Sequence, residues 1–284
     1  FFSDCCIMAA KKVLQQASKG IAGVKHTLAV TSAKGGVGKS TCSINLAIAL
    51  AAKQQRVGIL DADIFGPSIP KLMNLTYHKP EVREDKKIVP LQNYGLKVMS
   101  SGFIVPQDKS IVWRGPMVMG AVNQLLGDTE WGELDILVID MPPGTGDTHL
   151  SITQALNLSG AVVVSTPQDI ALIDARRGIH MFNSVNVPVL GVIENMSYFI
   201  CSNCGTQHDI FGHGGAEETA QDFDVPFLGR IPLHPQIRSG SDEGKPVTIV
   251  QPEGVGAPYF EIADLIYEKL QAGDGPGGPE ITMD

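Results

Sequence analysis

The segment 32–41, SAKGGVGKST, restricts the possible folds more than any other part of the chain. The apolar run 28–31 before it predicts a buried strand, and the residues from Lys39 onward repeat with helical periodicity. In a turn between a strand and a helix, glycines let backbone N–H groups converge on phosphate oxygens, and the helix N-terminus adds positive potential. The sequence therefore predicts a phosphate-binding loop within an α/β fold.

The end of this loop, Gly38-Lys39-Ser40, fits the pattern GxxxxGK[ST], although Ala33 stands at the first glycine position. We expect a methyl group to be tolerated there if φ is negative. The loop between this first strand and helix does not contain a GxGxxG dinucleotide motif. Lys39 is expected to neutralise the β and γ phosphates, and the Ser40 hydroxyl to hold Mg²⁺. The predicted nucleotide contacts are Lys34, Gly35, Gly36, Val37, Gly38, Lys39, Ser40 and Thr41.

Apolar runs alternate with helical patterns along most of the chain. Strands are predicted at 28–31, 56–60, 96–99, 134–139, 161–165, 189–193 and 226–231, and helices at 39–53, 116–126, 169–182 and 259–270. Strands that are apolar throughout and separated by helices favour a mostly parallel sheet with helices on both faces. Functional side chains should then follow the carboxyl ends of the strands.

Acidic residues occur at these strand ends. Asp140 ends the run LDILVID, which is typical of a Walker B strand whose carboxylate supports Mg²⁺ directly or through water. Asp63, in LDADIFGPS, is the candidate for positioning the attacking water, with a turn or helix cap as the alternative. Asp61 is interpreted as a supporting structural acid.

Cys201 and Cys204 form a CxxC motif at the start of the predicted loop 202–215. A thioredoxin-like dithiol is disfavoured because the motif lies late in the chain and outside a helix start. One alternative is a zinc site within one chain, completed by His208 and His213. The other pairs both cysteines with those of a second subunit, which gives four ligands, enough for a [4Fe–4S] cluster.

Composition and charge exclude several classes of protein. The formal net charge of −8 argues against a general nucleic-acid surface. No apolar run is long enough for a transmembrane helix, and five clustered cysteines do not make a disulfide scaffold but fit a reducing compartment. We expect a partly flexible N-terminal segment over 1–24, a single domain over 25–271, and a disordered glycine-rich tail over 272–284.

Together, KGGVGKST, LDADIFGPS, VWRGPM, DMPPGTGDTHL, STPQDIAL, ENMSYFICSNCG and IFGHGGAE resemble the Mrp/ApbC family of iron–sulfur cluster carrier ATPases over about residues 25–270. The family is similar to MinD and ParA in fold. In its deviant Walker A loop the resemblance implies that Lys34 reaches the nucleotide of a partner in a homodimer. It also implies an adenine contact for Asn195, with a structural amide as the alternative, and a bridging [4Fe–4S] cluster on Cys201 and Cys204.

The resemblance further implies slow ATP hydrolysis with Lys34, Lys39 and Asp63 as catalytic groups, and delivery of the cluster to recipient apoproteins. The mitochondrial branch, which supports respiratory complex I, looks most similar, so a mitochondrial matrix location is expected, with the cytoplasm as the alternative. Two other functions stay open. A ParA/MinD-like partitioning or positioning ATPase would need a basic surface or an amphipathic C-terminal helix, and the acidic, glycine-rich tail argues against a membrane anchor. A zinc-stabilised ATPase would lack cluster chemistry.

Overall fold

The computed structural model describes residues 21–104 and 115–273, except positions 145, 147, 148, 150, 151, 154 and 155. The predicted N-terminal segment lies outside the described residues up to position 20, and the predicted tail does so from position 274. The first half of the VWRGPM motif, residues 112–114, also falls outside them.

Twelve strands lie within the described residues. They are β1 (Val24–Thr31), β2 (Val57–Asp61), β3 (Glu81–Val82), β4 (Ile88–Val89), β5 (Leu91–Asn93), β6 (Leu96–Ser100), β7 (Leu134–Asp140), β8 (Gly160–Ser165), β9 (Val189–Glu194), β10 (Phe199–Ile200), β11 (Gln207–His208) and β12 (Phe227–Arg230). The helices of the described residues include α1 (Lys39–Ala52), α2 (Ile69–Leu72), α3 (Gly115–Gly127), α4 (Asp169–Ser184), α5 (Gly215–Asp222), α6 (Pro235–Glu243), α7 (Val247–Val250) and α8 (Ala257–Ala272).

Eight strands form the central sheet in the order β12-β9-β8-β1-β7-β2-β6-β5. Seven of them pair in parallel, and β5 at the edge runs antiparallel to β6. The predicted α/β fold with a mostly parallel sheet is therefore confirmed. The strand that leads into the phosphate loop lies near the centre, with β7 and β8 as its neighbours.

The buried side chains form two clusters, and residues of β8 and β9 contribute to both of them. In β8, Val162 and Val164 belong to the larger cluster and Val163 to the smaller one. Helices α1 and α8 contribute to the larger cluster, and α4 and α5 to the smaller one. This alternation arises because successive strand residues point to opposite faces, so both faces of the sheet are covered.

The carboxyl ends of the central strands carry buried polar residues. They are Thr31 on β1, Asp61 on β2, Ser100 on β6, Asp140 on β7, Ser165 on β8 and Glu194 on β9. Parallel pairing sets Asp61 directly opposite Asp140. One edge of the sheet thus gathers the acidic residues that the sequence separates by about 80 positions.

Several details differ from the sequence-based expectations. The predicted loop 202–215 contains β11, which pairs with β10 as a hairpin, and β3 and β4 form a second antiparallel pair that is not predicted from the sequence. Gln168 is the N-cap of α4, and Asp169 lies in the first turn of this helix. Helices α5, α6 and α7 span only eight, nine and four residues, and they are not among the helices predicted from the sequence. Within the described residues, no helix is sufficiently long and apolar to cross a membrane.

Candidate functional site at the phosphate loop and the CxxC hairpin

The phosphate loop follows β1 and ends at the N-terminus of α1. Gly36 and Gly38 have φ values of +86° and +84°, which L side chains rarely adopt, so both positions favour glycine. Ala33 does not have a positive φ, and its methyl group is therefore compatible with the loop, as expected. Lys34 is exposed, whereas Lys39 is buried. The loop thus presents one lysine outward and keeps the other beneath it.

Lys39 and Ser40 both bind the same carboxylate. Lys39 Nζ lies 2.6 Å from Asp140 Oδ1, and Ser40 Oγ donates to Asp140 Oδ2 at 2.6 Å. Ser43, one turn along α1, also donates to Oδ1 at 2.6 Å. A hydroxyl beside a carboxylate is a pair of oxygen ligands of the kind Mg²⁺ prefers, so Ser40 and Asp140 fit the predicted magnesium role.

Asp61 and Asp63 differ in what they can contact. Asp61 is fully buried and accepts hydrogen bonds from the backbone N–H groups of Asp63 and Ile69 and from Ser100 Oγ. Burial, together with the nearby charge of Asp140, raises the pKa of Asp61. These bonds fit the structural role predicted for it. Asp63 is half-buried, accepts from Gly66 N at 3.2 Å, and faces a cleft.

This cleft has a volume of about 490 Å³ and lies beyond the carboxyl ends of β2 and β7. It is lined by Asp63, Phe65, Gly66, Pro142, Pro143, Gly146 and His149. Burial raises the pKa of Asp63, although the charge of Lys39 opposes the effect. A carboxylate with a raised pKa at the wall of such a cleft is suited to accept a hydrogen bond from a water molecule.

His149 is the residue of this cleft that the sequence did not single out. Its ring is 3 % exposed, Nε2 lies 3.2 Å from Thr31 Oγ1 at the end of β1, and Nδ1 has no hydrogen-bond partner among the described residues. Burial lowers its pKa to about 4, so the imidazole is neutral at pH 7. A lone histidine in DMPPGTGDTHL carries no periodic or spacing signal, and only its location in the fold marks it.

Asn195 follows β9 and contacts the phosphate loop. Its Nδ2 donates to the Val37 carbonyl oxygen at 2.7 Å, and a Cβ placed on Gly38 would lie 2.3 Å from the same nitrogen. The side chain is 5 % exposed. The Asn195 amide therefore makes a structural bond to the phosphate loop, which is not the cap of the strand end that was the alternative interpretation, and the adenine contact remains a prediction.

Cys201 and Cys204 lie in the turn of the hairpin formed by β10 and β11. The turn is closed by hydrogen bonds from Cys201 N to Thr206 O and from Gly205 N to Cys201 O, at 3.0 and 2.8 Å. Cys201 is half-buried and Cys204 is exposed. A hydrogen bond with the Thr206 hydroxyl is the main cause that lowers the pKa of the Cys204 thiol, and this favours the thiolate that binds metals.

Within the part of the chain that the structure describes, no three His, Cys, Asp or Glu side chains are grouped so that they could hold one metal ion. His208 lies on β11, and His213 pairs with Asp209 at 3.5 Å. The four residues of the single-chain zinc hypothesis are therefore not brought together. Among the described residues, the hairpin turn carries two cysteine side chains, Cys201 and Cys204, without a third ligand grouped with them.

The fold and the phosphate loop define a P-loop NTPase of the MinD and ParA type. The family profile described as "ParA: NUBPL iron-transfer P-loop NTPase" matches residues 23–268. The chain belongs to this family.

Three relatives are about half identical to the chain. The iron-sulfur cluster transfer protein NUBPL of Dictyostelium discoideum is 53% identical over 253 residues, 88% of this chain and 78% of that protein. An Arabidopsis thaliana iron-sulfur protein required for NADH dehydrogenase, mitochondrial, is 52% identical over 251 residues, 88% of this chain and 80% of that protein. The iron-sulfur cluster carrier protein of Escherichia coli K12 is 50% identical over 265 residues, 93% of this chain and 71% of that protein.

Solved structures agree with the fold. A nucleotide-binding protein from Archaeoglobus fulgidus, in complex with ADP, superposes with a TM-score of 0.74 at 37% identity and covers 87% of this chain and 96% of its own. The cell division ATPase MinD of Pyrococcus furiosus gives a TM-score of 0.63 at 21% identity, with 86% and 98% covered. At 21% identity, the similarity to MinD supports a shared fold and nothing further.

Proposed function

We propose that this chain is an ATP-dependent carrier of [4Fe–4S] clusters and that the cluster is held between two copies of the chain. The observation that supports this most strongly is the hairpin with two accessible cysteines and no third ligand grouped with them among the described residues. A [4Fe–4S] cluster takes four cysteine ligands, and a two-fold axis through the hairpin supplies them from two chains. The relatives named as cluster transfer and carrier proteins support the same assignment.

Exposed apolar side chains beside the cysteines favour a partner surface there. Ile200, directly before Cys201, is 48% exposed, and Ile210, two residues after β11, is 56% exposed. Such side chains gain free energy when a second copy covers them. The cluster is then cargo at an interface, and its transfer is a ligand exchange in which thiolates of the recipient replace those of the carrier.

The nucleotide site would bind ATP through the loop from Lys34 to Thr41, with Asn195 at the adenine end. Mg²⁺, held by Ser40 and Asp140, would offset the charge of the β and γ phosphates. Asp63 orients the attacking water from the wall of the cleft. Lys34 reaches the partner's nucleotide across the dimer, as an arginine finger does. Hydrolysis is slow because its role is to switch the dimer between two geometries.

The recipients are iron–sulfur apoproteins, and the mitochondrial relatives favour subunits of respiratory complex I in the mitochondrial matrix. The bacterial carriers are almost equally similar, and a cytoplasmic carrier is the alternative. Partitioning on nucleic acid is disfavoured by the net charge of −8.

A transfer assay tests this function. The dimer reconstituted anaerobically with iron and sulfide is mixed with an apo-protein that needs a [4Fe–4S] cluster for activity. Wild-type chain should activate the acceptor faster than iron and sulfide alone, even in the presence of a chelator. Cys204→Ser should not, whereas Cys42→Ser, at a buried cysteine within α1, should still transfer. Equal activation by the wild type and Cys204→Ser contradicts the proposal.

A further inference from the structure

A short connection joins the phosphate loop to the cysteine hairpin within one chain. Asn195 touches the loop, Cys201 lies in the turn of the hairpin, and five residues separate them in the sequence. The two sites are otherwise carried by different parts of the fold. Any rearrangement of Asn195 therefore acts on the chain that leads directly into the hairpin.

At its loop end, this connection fixes the orientation of one peptide group. Asn195 Nδ2 donates to the Val37 carbonyl at 2.7 Å. In a trans peptide the N–H points opposite to the C=O, so the Gly38 N–H is directed away from Asn195. Backbone N–H groups of loops that precede a helix N-terminus are the groups that bind phosphate oxygens. Asn195 thus fixes the orientation of an N–H group that is suited to bind phosphate.

At its other end, the connection is held rigidly. Met196 has a φ of +55°, a conformation that costs a non-glycine residue free energy and persists only where neighbours enforce it. Ser197 enforces it with two hydrogen bonds, from Oγ to Glu194 Oε1 at 2.6 Å and from N to Ile231 O at 2.9 Å. Leu233 N then donates to Tyr198 O at 2.7 Å, just before the hairpin.

A further anchor comes from the same carboxylate. Glu194 is fully buried, and its Oε2 accepts from Ala216 N in the first turn of α5 at 2.9 Å. The turn 195–198 is therefore clamped on both sides, and it has little freedom to absorb a displacement locally. A displacement at Val37 is passed along the chain because rigid, hydrogen-bonded elements carry coupling between sites.

We infer that Asn195 is a positioning residue that transmits the state of the phosphate loop to the cysteine hairpin. Nucleotide binding orders the Val37–Gly38 peptide, this order strengthens the bond to Asn195, and the turn 195–198 holds the hairpin in one arrangement. The role of the hairpin as a cluster site rests on the proposed function. The coupling between the phosphate loop and the hairpin can itself be measured in a chain without metal.

Hydrogen exchange on the metal-free full chain tests the link. ADP is added until exchange in the loop 32–41 is fully slowed, and exchange of the hairpin 199–208 is then measured with and without ADP. ADP should slow hydrogen exchange of the wild-type hairpin about fivefold, which is the lower range of measured couplings between sites. In Asn195→Ala, ADP should slow hydrogen exchange of the hairpin less than about twofold. Asn183→Ala, at an exposed asparagine of α4, is the matched control and should respond as the wild type does.

A second variant separates the link from nucleotide binding. Ser197→Ala keeps the bond between Asn195 and Val37 but removes the bond to Glu194. In this variant, ADP should still slow hydrogen exchange in the loop 32–41 but should no longer slow exchange in the hairpin 199–208. The inference is overturned if the wild-type hairpin does not respond to ADP, or if both variants respond like Asn183→Ala.

The cluster-loaded dimer gives a readout of a different kind. ADP should change the rate at which a chelator removes iron from the wild type and from Asn183→Ala, and should leave the rate of Asn195→Ala unchanged. A dimer that loads no iron would refute the proposed cluster function, yet the exchange measurement would still decide the link between the loop and the hairpin.

Discussion

Lys39 and Asp140 form a buried ion pair where the phosphate loop meets β7, with Nζ 2.6 Å from Oδ1 and exposed side-chain fractions of 6% and 0%. The lysine that would bind phosphate is thus paired with the carboxylate expected to support Mg²⁺. Three donors, from Lys39, Ser40 and Ser43, converge on this one group. This ion pair therefore stabilises the fold and is also part of the candidate nucleotide site.

Lys39→Ala should abolish ADP binding and lower the free energy of unfolding by about 3–5 kcal/mol, because it leaves Asp140 buried and unpaired. Adding Asp140→Asn to this variant should restore part of the stability without restoring binding. Calorimetric titration and denaturant unfolding measure the two effects. Lys71→Ala, at an exposed lysine of α2, is the control, and ADP binding retained by Lys39→Ala would refute the loop assignment.

Lys34→Ala should bind ATP but hydrolyse it about 10³-fold more slowly, the lower range for a charge supplied in trans. Mixing Lys34→Ala with Asp63→Ala tests the trans arrangement, since half of a random mixture is heterodimer with one intact site of two. Activity should recover to about a quarter of the wild-type value. If Lys34 acts within its own chain, the mixture stays inactive.

Asp63→Asn should lower hydrolysis about 10²- to 10⁴-fold, as loss of a group that positions the attacking water does, and should leave ATP affinity nearly unchanged. Single-turnover hydrolysis and equilibrium binding measure the two effects separately. Asp85→Asn, at an exposed aspartate between β3 and β4, is the matched control. Unimpaired hydrolysis by Asp63→Asn would leave only a structural role for this residue.

His149 should make the fold sensitive to mild acid. Its pKa is lowered by burial to about 4, below the value of about 6.5 in an unfolded chain, so the unfolded state gains a proton first as pH falls. Its contribution to stability is complete above about pH 6.5 and is lost progressively toward pH 4, by on the order of 3 kcal/mol.

His149→Gln should therefore lose less stability than the wild type between about pH 6.5 and pH 4. Denaturant unfolding at several pH values, compared with His78→Gln at an exposed histidine, isolates the effect. If the free energy of unfolding depends on pH equally in the wild type and in His149→Gln, the imidazole is not held neutral in the folded protein.

The positions that can be predicted from the sequence are those fixed by strand order and by the strand–loop–helix unit. Asp61 and Asp140 end apolar strands, and the carboxyl ends of parallel strands meet at one edge, so their proximity follows from the pattern. The glycines of the loop and the exposure of Lys34 follow from the strand–loop–helix unit.

Other features depend on tertiary contacts that no local pattern reports. Ser43 looks like an ordinary helix residue until α1 places it against Asp140. The bond between Asn195 and Val37 spans 158 positions, and the hairpin of two-residue strands is too short to show alternation. Such contacts emerge only when the elements are packed together.

Metal content after anaerobic reconstitution tests the central claim most directly. The account predicts about four iron and four sulfide per two chains, a stoichiometry lost in Cys201→Ala and in Cys204→Ser and retained in His208→Ala and His213→Ala. One zinc per chain, dependent on His208 or His213 and independent of dimer formation, would contradict it.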